Sequence, residues 1–451
     1  MTQYRYPETS VFYRDLTREF PLAVRGEGCW IIDAAGKRYL DGSGGAFVAT
    51  VGHGVAEIAE AVAEQARTLP YVNGTHFTSE PVEQLAAALV DRAPGDLSLA
   101  YFLTSGSDAV EAALKLARQY WVEAGEPRRH KVLSLTPGYH GNTMLALAAS
   151  GRPRYQAYFR DWLTPVPRVA APYPYRCACR GAAPLCPACT GDALEQVLLE
   201  EDPETVAAFI AEPIGGSSTG ASVPHPEYWP RIRQLCDQYG VLWIADEILA
   251  GAGRTGVWSP LERYGVSPDL MVMGKGITGG YAPLGVVLAP RRLVDRIASG
   301  SGALMHAQTF VHHPLSCAAG LATLRYLDQH DLVTRCQAMG ELLHAGLAGL
   351  KEIPIVGDIR GIGLLAGIEL VADQATRAPF SRKERVAERC IALAMEAGLV
   401  LWPNTGHADG MAGDLLMIAP PFTISPEEIT QLVDRLHAVL TRMQSELTVT
   451  L

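Results

Sequence analysis

The 451-residue sequence predicts an α/β fold, with a large domain on a mainly parallel sheet and a smaller α+β domain. Three observations lead there. Short apolar runs alternate with helical patterns through most of the chain, as in βαβ units, which build parallel sheets. After about residue 326 that rhythm changes. The length also exceeds what a single small core needs. The expected segments are residues 1–60, which join the small domain, 61–325 as the large domain, and 326–451 as the C-terminal small domain.

In chain order, residues 21–50 read as strands and turns. Asp33-Ala34-Ala35-Gly36 is a turn and residues 38–42 an alternating strand. Gly42, Gly44 and Gly45 put three glycines in four positions, where backbone approaches something closely. Phe47 on that loop is either a core aromatic or the wall of a pocket. A helical pattern begins at residue 55, and Val82, Leu85, Leu89 and Val90 share one helix face. Residues 100–103 fit a strand. Val110, Leu114, Ala117 and Trp121 fit the face of the next helix, expected to start near Asp108. Strands follow at 131–135, 207–211 and 241–245, with a helix at 228–239. Beyond 326, strands at 364–370 and 415–418 stand beside helices near 382–397 and 426–445.

The chemistry centres on Leu270-Met271-Val272-Met273, a short apolar strand that stops at Gly274 and delivers Lys275 onto a glycine-rich turn. No other charge occurs from residue 270 to 290. Desolvation lowers the pKa of such an ammonium, and a neutral amine attacks carbonyls. A surface lysine on a turn is the plainer alternative. Thr104-Ser105-Gly106-Ser107-Asp108 joins a strand to a helix; its free N–H groups suit a phosphate, although ordinary N-capping explains the same residues. Asp246 ends the strand at 241–245, at the sheet edge where ligands bind. It precedes Lys275 by 29 residues, about one strand–connection–strand step. A carboxylate facing a lysine across a phosphate cradle suggests pyridoxal phosphate, whose ring becomes an electron sink when its nitrogen stays protonated. Tyr139 follows the strand at 131–135, where a ring can stack on a flat cofactor or merely pack.

Composition narrows the class. The chain is 48% hydrophobic and 19% charged, and its formal net charge of −10, with no basic run, argues against nucleic-acid binding. No apolar stretch of about 18 residues predicts a membrane span. The first twenty residues carry no apolar signal core, and five of the nine cysteines are scattered, so a cytoplasmic protein with free thiols is expected.

Residues 102–118, Phe102-Leu103-Thr104-Ser105-Gly106-Ser107-Asp108 onward to Arg118, resemble the phosphate-binding helix start of the class III (omega-type) aminotransferases, a fold-type I pyridoxal-phosphate family. Further matches follow in the family's order: Tyr139-His140-Gly141, Ala211-Glu212-Pro213-Ile214, Ile244-Ala245-Asp246-Glu247-Ile248, Gly253-Arg254-Thr255-Gly256, and Pro268-Asp269-Leu270 with Lys275. His306 to Phe310, His313-Pro314 and Gly361-Ile362-Gly363 complete the set, and the resemblance spans roughly residues 20–440. It implies roles. Lys275 matches the Schiff-base lysine and Asp246 the partner of the pyridine nitrogen. Ser105, Gly106 and Ser107 match the phosphate cup, Tyr139 the stacking ring, with His140 beside it, and Glu212 a glutamate near the cofactor. Thr309 matches a threonine that reaches the phosphate of the other subunit, which implies a homodimer. Phe47 falls where the family places a substrate-pocket aromatic. The implied reaction is a ping-pong transfer of an amino group from a primary amine or amino acid to a keto acid such as pyruvate. A racemase, an aminomutase and a decarboxylating transaminase share the pattern.

Two stretches depart from it. Cys177, Cys179, Cys186 and Cys189 lie in an insert with C-x-C-x6-C-x2-C spacing. Four thiolates suit tetrahedral zinc, but C-x-C is tighter than the usual C-x2–4-C. The insert is therefore expected to hold reduced structural cysteines and no metal; a metal-organised binding module is the reading from another class. In residues 402–414 no arginine is found to grip a substrate carboxylate. Phe47 and Trp402 are then expected to favour apolar or aromatic amines, with Arg154 binding the keto acid.

Overall fold

The computed structural model describes residues 3–450. Its centre is a seven-stranded sheet ordered Leu97–Leu103, Gly285–Pro290, Leu270–Met273, Leu242–Asp246, Val206–Ala211, Lys131–Thr136 and Arg168–Ala170. Every strand but one runs the same way: Gly285–Pro290 is antiparallel to both neighbours, and the other pairings are parallel. Val206–Ala211, Leu242–Asp246, Leu270–Met273 and Gly285–Pro290 are buried at every position, as expected of strands covered on both faces.

The covering helices follow from their apolar spacing. Gly106–Glu123 buries Val110, Leu114, Ala117 and Trp121 against one face of the sheet. Tyr228–Tyr239 buries Trp229, Ile232 and Leu235 against the other, where the Trp229 and Trp243 rings stack at 5.1 Å. Glu80–Val90 buries Val82, Leu85 and Leu89.

A second sheet of four antiparallel strands runs in the order Val356–Ile362, Leu365–Leu370, Asp414–Ile418 and Trp402–Thr405. A third joins the two ends of the chain, with Leu399–Val400 pairing in parallel with Arg38–Asp41. The C-terminal helices are Val386–Glu396 and the 25-residue Pro426–Thr450.

Four local expectations are corrected. Arg38–Asp41 does not alternate: Tyr39, Leu40 and Asp41 are all buried in a strand that lies inside its sheet, between Leu399–Val400 and Trp30–Asp33. The helix expected near Asp108 starts at Gly106, since Ser105 caps it. Residues 382–384 form a separate 3-10 turn ahead of the helix at Val386. The last helix runs past residue 445 to Thr450.

Candidate active site

Because six of the seven strands are co-directional, their carboxyl ends open on one edge of the sheet, and successive loops deliver side chains there. Leu97–Leu103 leads to Ser105, Lys131–Thr136 to Tyr139, Val206–Ala211 to Glu212, Leu242–Asp246 to its own last residue, and Leu270–Met273 to Lys275.

Asp246 is 4% exposed. Its Oδ2 lies 2.7 Å from Nδ1 of buried His140, and its Oδ1 accepts the Ile248 N–H at 3.1 Å. Glu212 is held by three donors. Its Oε2 accepts the Tyr139 N–H at 3.1 Å and the Ser218 hydroxyl at 3.0 Å, and its Oε1 accepts the Gly216 N–H at 3.0 Å. Burial pushes the Glu212 carboxyl up, and a nearby His140 opposes the rise.

Lys275 opens a 3-10 turn, Lys275–Thr278, with φ +46°. Burial lowers its pKa, while Asp246 and Glu212 pull it back up. Its Nζ lies 5.3 Å from the centre of the Phe47 ring, and that ring packs on Trp402 at 5.6 Å. Phe47, Trp402 and Lys275, far apart in sequence, thus meet.

At the helix start, Ser105 Oγ accepts the Asp108 N–H at 3.2 Å, so the capping role is real. The first N–H groups of a helix still lack intrahelical partners and attract anions. A Cβ added to Gly106 would meet Ile248 Cδ1 at 2.8 Å, so the glycine lets helix and sheet edge close up. Ser107 Oγ donates to Asn142 Oδ1 at 3.0 Å and accepts the Asn142 N–H at 3.1 Å, which ties the helix start to the Tyr139 loop.

Two predicted residues stand apart from this group. Thr309 is exposed, and its carbonyl accepts the Tyr71 hydroxyl at 3.0 Å. Arg154 is also exposed, and donates to Thr405 Oγ1 at 2.6 Å. It lines a pocket with Arg152, Tyr155, Ser218, Thr405 and His407. Sequence reasoning missed Arg152. Its guanidinium sits 5.6 Å over the Tyr139 ring and 4.7 Å over the Tyr155 ring, and has no carboxylate within ion-pair distance among the described residues. The signal was present in Gly151-Arg152-Pro153-Arg154, where two arginines flank one proline. Arg254, by contrast, is structural: buried, it donates to the carbonyls of Leu364 and Pro420.

A half-buried lysine, a buried carboxylate and a helix N-terminus on one edge of a mainly parallel sheet define a fold-type I pyridoxal-phosphate enzyme. Comparison with known proteins narrows the class. The family model described as "Aminotransferase class-III" matches residues 14–440. The putrescine–pyruvate aminotransferase of Pseudomonas aeruginosa is 34% identical over 91% of this chain and 88% of its own length. Among solved structures, an (S)-enantioselective omega-transaminase from Thermomicrobium roseum is 36% identical, with TM-score 0.87 over 94% of this chain and 92% of that one. An amine transaminase from an uncultivated Pseudomonas species, solved in its PLP-bound form, is 34% identical, with TM-score 0.88 over 97% and 98%. The chain belongs to the class III aminotransferases, and is an enzyme of pyridoxal-phosphate-dependent amino transfer.

Proposed function

We propose that this enzyme moves the amino group of a primary amine, one without an α-carboxylate included, to a keto acid such as pyruvate. The observation that carries the proposal is the wall beside Lys275. The Phe47 ring faces the lysine and packs on Trp402, and residues 402–414 supply no guanidinium to grip a donor carboxylate. A carboxylate is held best by a bidentate arginine, whereas an apolar wall rewards buried hydrocarbon.

The residues present fit pyridoxal phosphate. Lys275 is half-buried with no ion pair among the described residues, and the first N–H groups of the Gly106–Glu123 helix lack intrahelical partners and suit a phosphate. Bound there, the cofactor supplies an electron sink that stabilises negative charge on the donor carbon. In this reading Ser105, Gly106 and Ser107 would hold the phosphate, Tyr139 would stack on the ring, and Asp246 would keep the ring nitrogen protonated. His140 and Glu212 orient Asp246 and Tyr139 through the bonds described above. Lys275, its pKa lowered by burial, would move a proton from the donor carbon to C4′ of the cofactor, as base and then acid.

The keto acid needs a cation, and two are available. Arg152 is half-buried, bonded to the Ser217 hydroxyl but to no carboxylate among the described residues, and over the Tyr139 ring, so the role expected of Arg154 fits Arg152 better, with Arg154 at the pocket mouth. A homodimer belongs to the same reading. Beside exposed Thr309 stand the exposed apolar side chains of Tyr71 and Phe310, a surface suited to a second copy. Thr309 of the partner subunit would then complete the phosphate site. The domain division at about residues 60 and 325 goes with this reading.

The test is the donor half-reaction alone, followed through cofactor absorbance, with 1-phenylethylamine and with alanine. Conversion of the cofactor by the aryl amine is expected. Arg152→Ala should raise KM for pyruvate at least about tenfold while the aryl-amine half-reaction keeps its rate. An enzyme that reacts with alanine and never with a carboxylate-free amine refutes the donor assignment.

A further inference from the structure

We propose that Cys177, Cys179, Cys186 and Cys189 bind one Zn²⁺ ion as a tetrathiolate staple outside the active site. The insert that carries them takes no part in the cofactor chemistry described above, yet its four sulfurs converge. All four Sγ atoms lie within 4.8 Å of one another. Cys177 Sγ is 3.4 Å from Cys179 Sγ and 3.3 Å from Cys189 Sγ, and the last two are 3.6 Å apart. Tetrahedral zinc with Zn–S bonds of about 2.3 Å sets its sulfurs about 3.8 Å apart. Those three separations are within about half an ångström of the geometry the ion imposes, and Cys186 Sγ, within 4.8 Å of the others, stands at the fourth corner.

The spacing objection has a structural answer. Cys186-Pro187-Ala188-Cys189 has ordinary C-x2-C spacing: Cys186 caps the short helix Pro187–Thr190, which ends in a left-handed Gly191 at φ +94°. The tight half, Cys177-Ala178-Cys179, is followed by Arg180 at φ +53° and Gly181 at φ +73°, so the chain turns back at once and both sulfurs face the same point. The other five cysteines are buried singly, without such a cluster. Binding releases one proton from each thiol, four in all, and leaves the site with a net charge of −2 beside Arg176 and Arg180.

What the staple would hold is visible in its neighbours. Tyr173 donates to Glu369 Oε2 at 2.5 Å, and Arg176 Nε to Glu369 Oε1 at 2.6 Å. Arg360 donates to the Tyr173 hydroxyl at 2.8 Å and to the Thr219 carbonyl. His407, which lines the arginine pocket, lies 3.1 Å from Glu369 Oε1. The insert thus anchors the second sheet's Glu369 and, through it, the loop at one wall of that pocket.

Metal analysis of holoenzyme purified under reducing conditions should find one zinc per chain. Zinc-edge X-ray absorption should show four sulfur neighbours at about 2.3 Å. Cys186→Ser/Cys189→Ser should lose at least nine-tenths of the zinc, melt at lower temperature and become open to proteolysis within residues 173–190. Its Lys275 should still bind the cofactor. Zinc well below stoichiometry in the wild type with four alkylatable thiols, disulfides in their place, iron at the sulfurs, or nitrogen and oxygen neighbours around the zinc would each overturn the proposal. The wild-type measurements decide it even if the double variant fails to fold.

Discussion

Glu247 follows Asp246 directly, and burial gives it a different task. It is 1% exposed, accepts the Ser259 hydroxyl at 2.5 Å, and is pushed up to about 8 by desolvation, with Glu262 and Asp246 adding to the rise. Below its ordinary value of 4.5 folded and unfolded chains both hold the proton; between there and about 8 the folded chain alone does. Folding is therefore favoured by that proton at low pH, and stability falls as pH rises through the window. Glu247→Gln keeps an acceptor for Ser259 and has no proton to lose. Its stability relative to wild type, measured as urea midpoints, should be nearly level at about pH 5 and should climb towards about pH 9; a flat difference would show that Glu247 does not titrate in that range. At Lys275 the expectation is catalytic. Lys275→Ala should retain cofactor held by the phosphate site and lose at least about 10³-fold in turnover, with borohydride no longer attaching cofactor to the chain. Lys275 stood out in the sequence because no other charge occurs from residue 270 to 290, and Asp246 because it ends a strand 29 residues earlier. Arg152 did not, because its rank depends on the Tyr139 and Tyr155 rings, which only folding brings under it.

Among elements, strands buried on both faces and helices with one apolar face were legible from their periods. The antiparallel run of Gly285–Pro290 was not, since direction leaves no mark on an all-apolar strand. That strand matters to the site. Gly285 pairs with Leu103, and a Cβ at Gly285 would stand 2.1 Å from the Ser105 carbonyl oxygen and 2.6 Å from its carbon. Backbone has nowhere flexible to retreat, so Gly285→Ala must push the Ser105 cap and the helix start aside. Overpacking of this kind costs about 1–3 kcal/mol. Cofactor affinity should fall at least about tenfold together with the melting temperature. Gly349→Ala, where an added Cβ meets nothing within 4 Å, is the control and should leave both unchanged. Equal cofactor affinity in Gly285→Ala and wild type would mean the cradle does not depend on this contact.

At the scale of the whole molecule, the chain closes on itself where Leu399–Val400 pairs with Arg38–Asp41, yet the loop carrying Thr309 turns outward. Its inner side is fixed: Tyr101 donates to the His306 carbonyl at 2.7 Å, and Thr104 Oγ1 to Gln308 Oε1 at 3.2 Å, beside the chain's own helix start. An exposed threonine on an anchored loop, ringed by Tyr71 and Phe310, suits a phosphate in a neighbouring copy better than one in its own. If the phosphate is bridged in this way, cofactor binding and assembly are linked: whatever binds the dimer more tightly than the monomer stabilises the dimer by mass action. Stripping the cofactor should then raise the dimer's dissociation constant, and dilution of holoenzyme should release cofactor as dimers part. Thr309→Ala removes one hydroxyl donor, an interaction of about 1.5–3 kcal/mol to a charged oxygen. It should weaken cofactor binding about tenfold or more and shrink the difference between the apo and holo dissociation constants, while apo dimerisation stays as in wild type. Sedimentation velocity across a dilution series, with cofactor absorbance recorded in the same cells, measures all three quantities. A monomer that keeps its cofactor and full activity at the lowest concentration would refute the shared site.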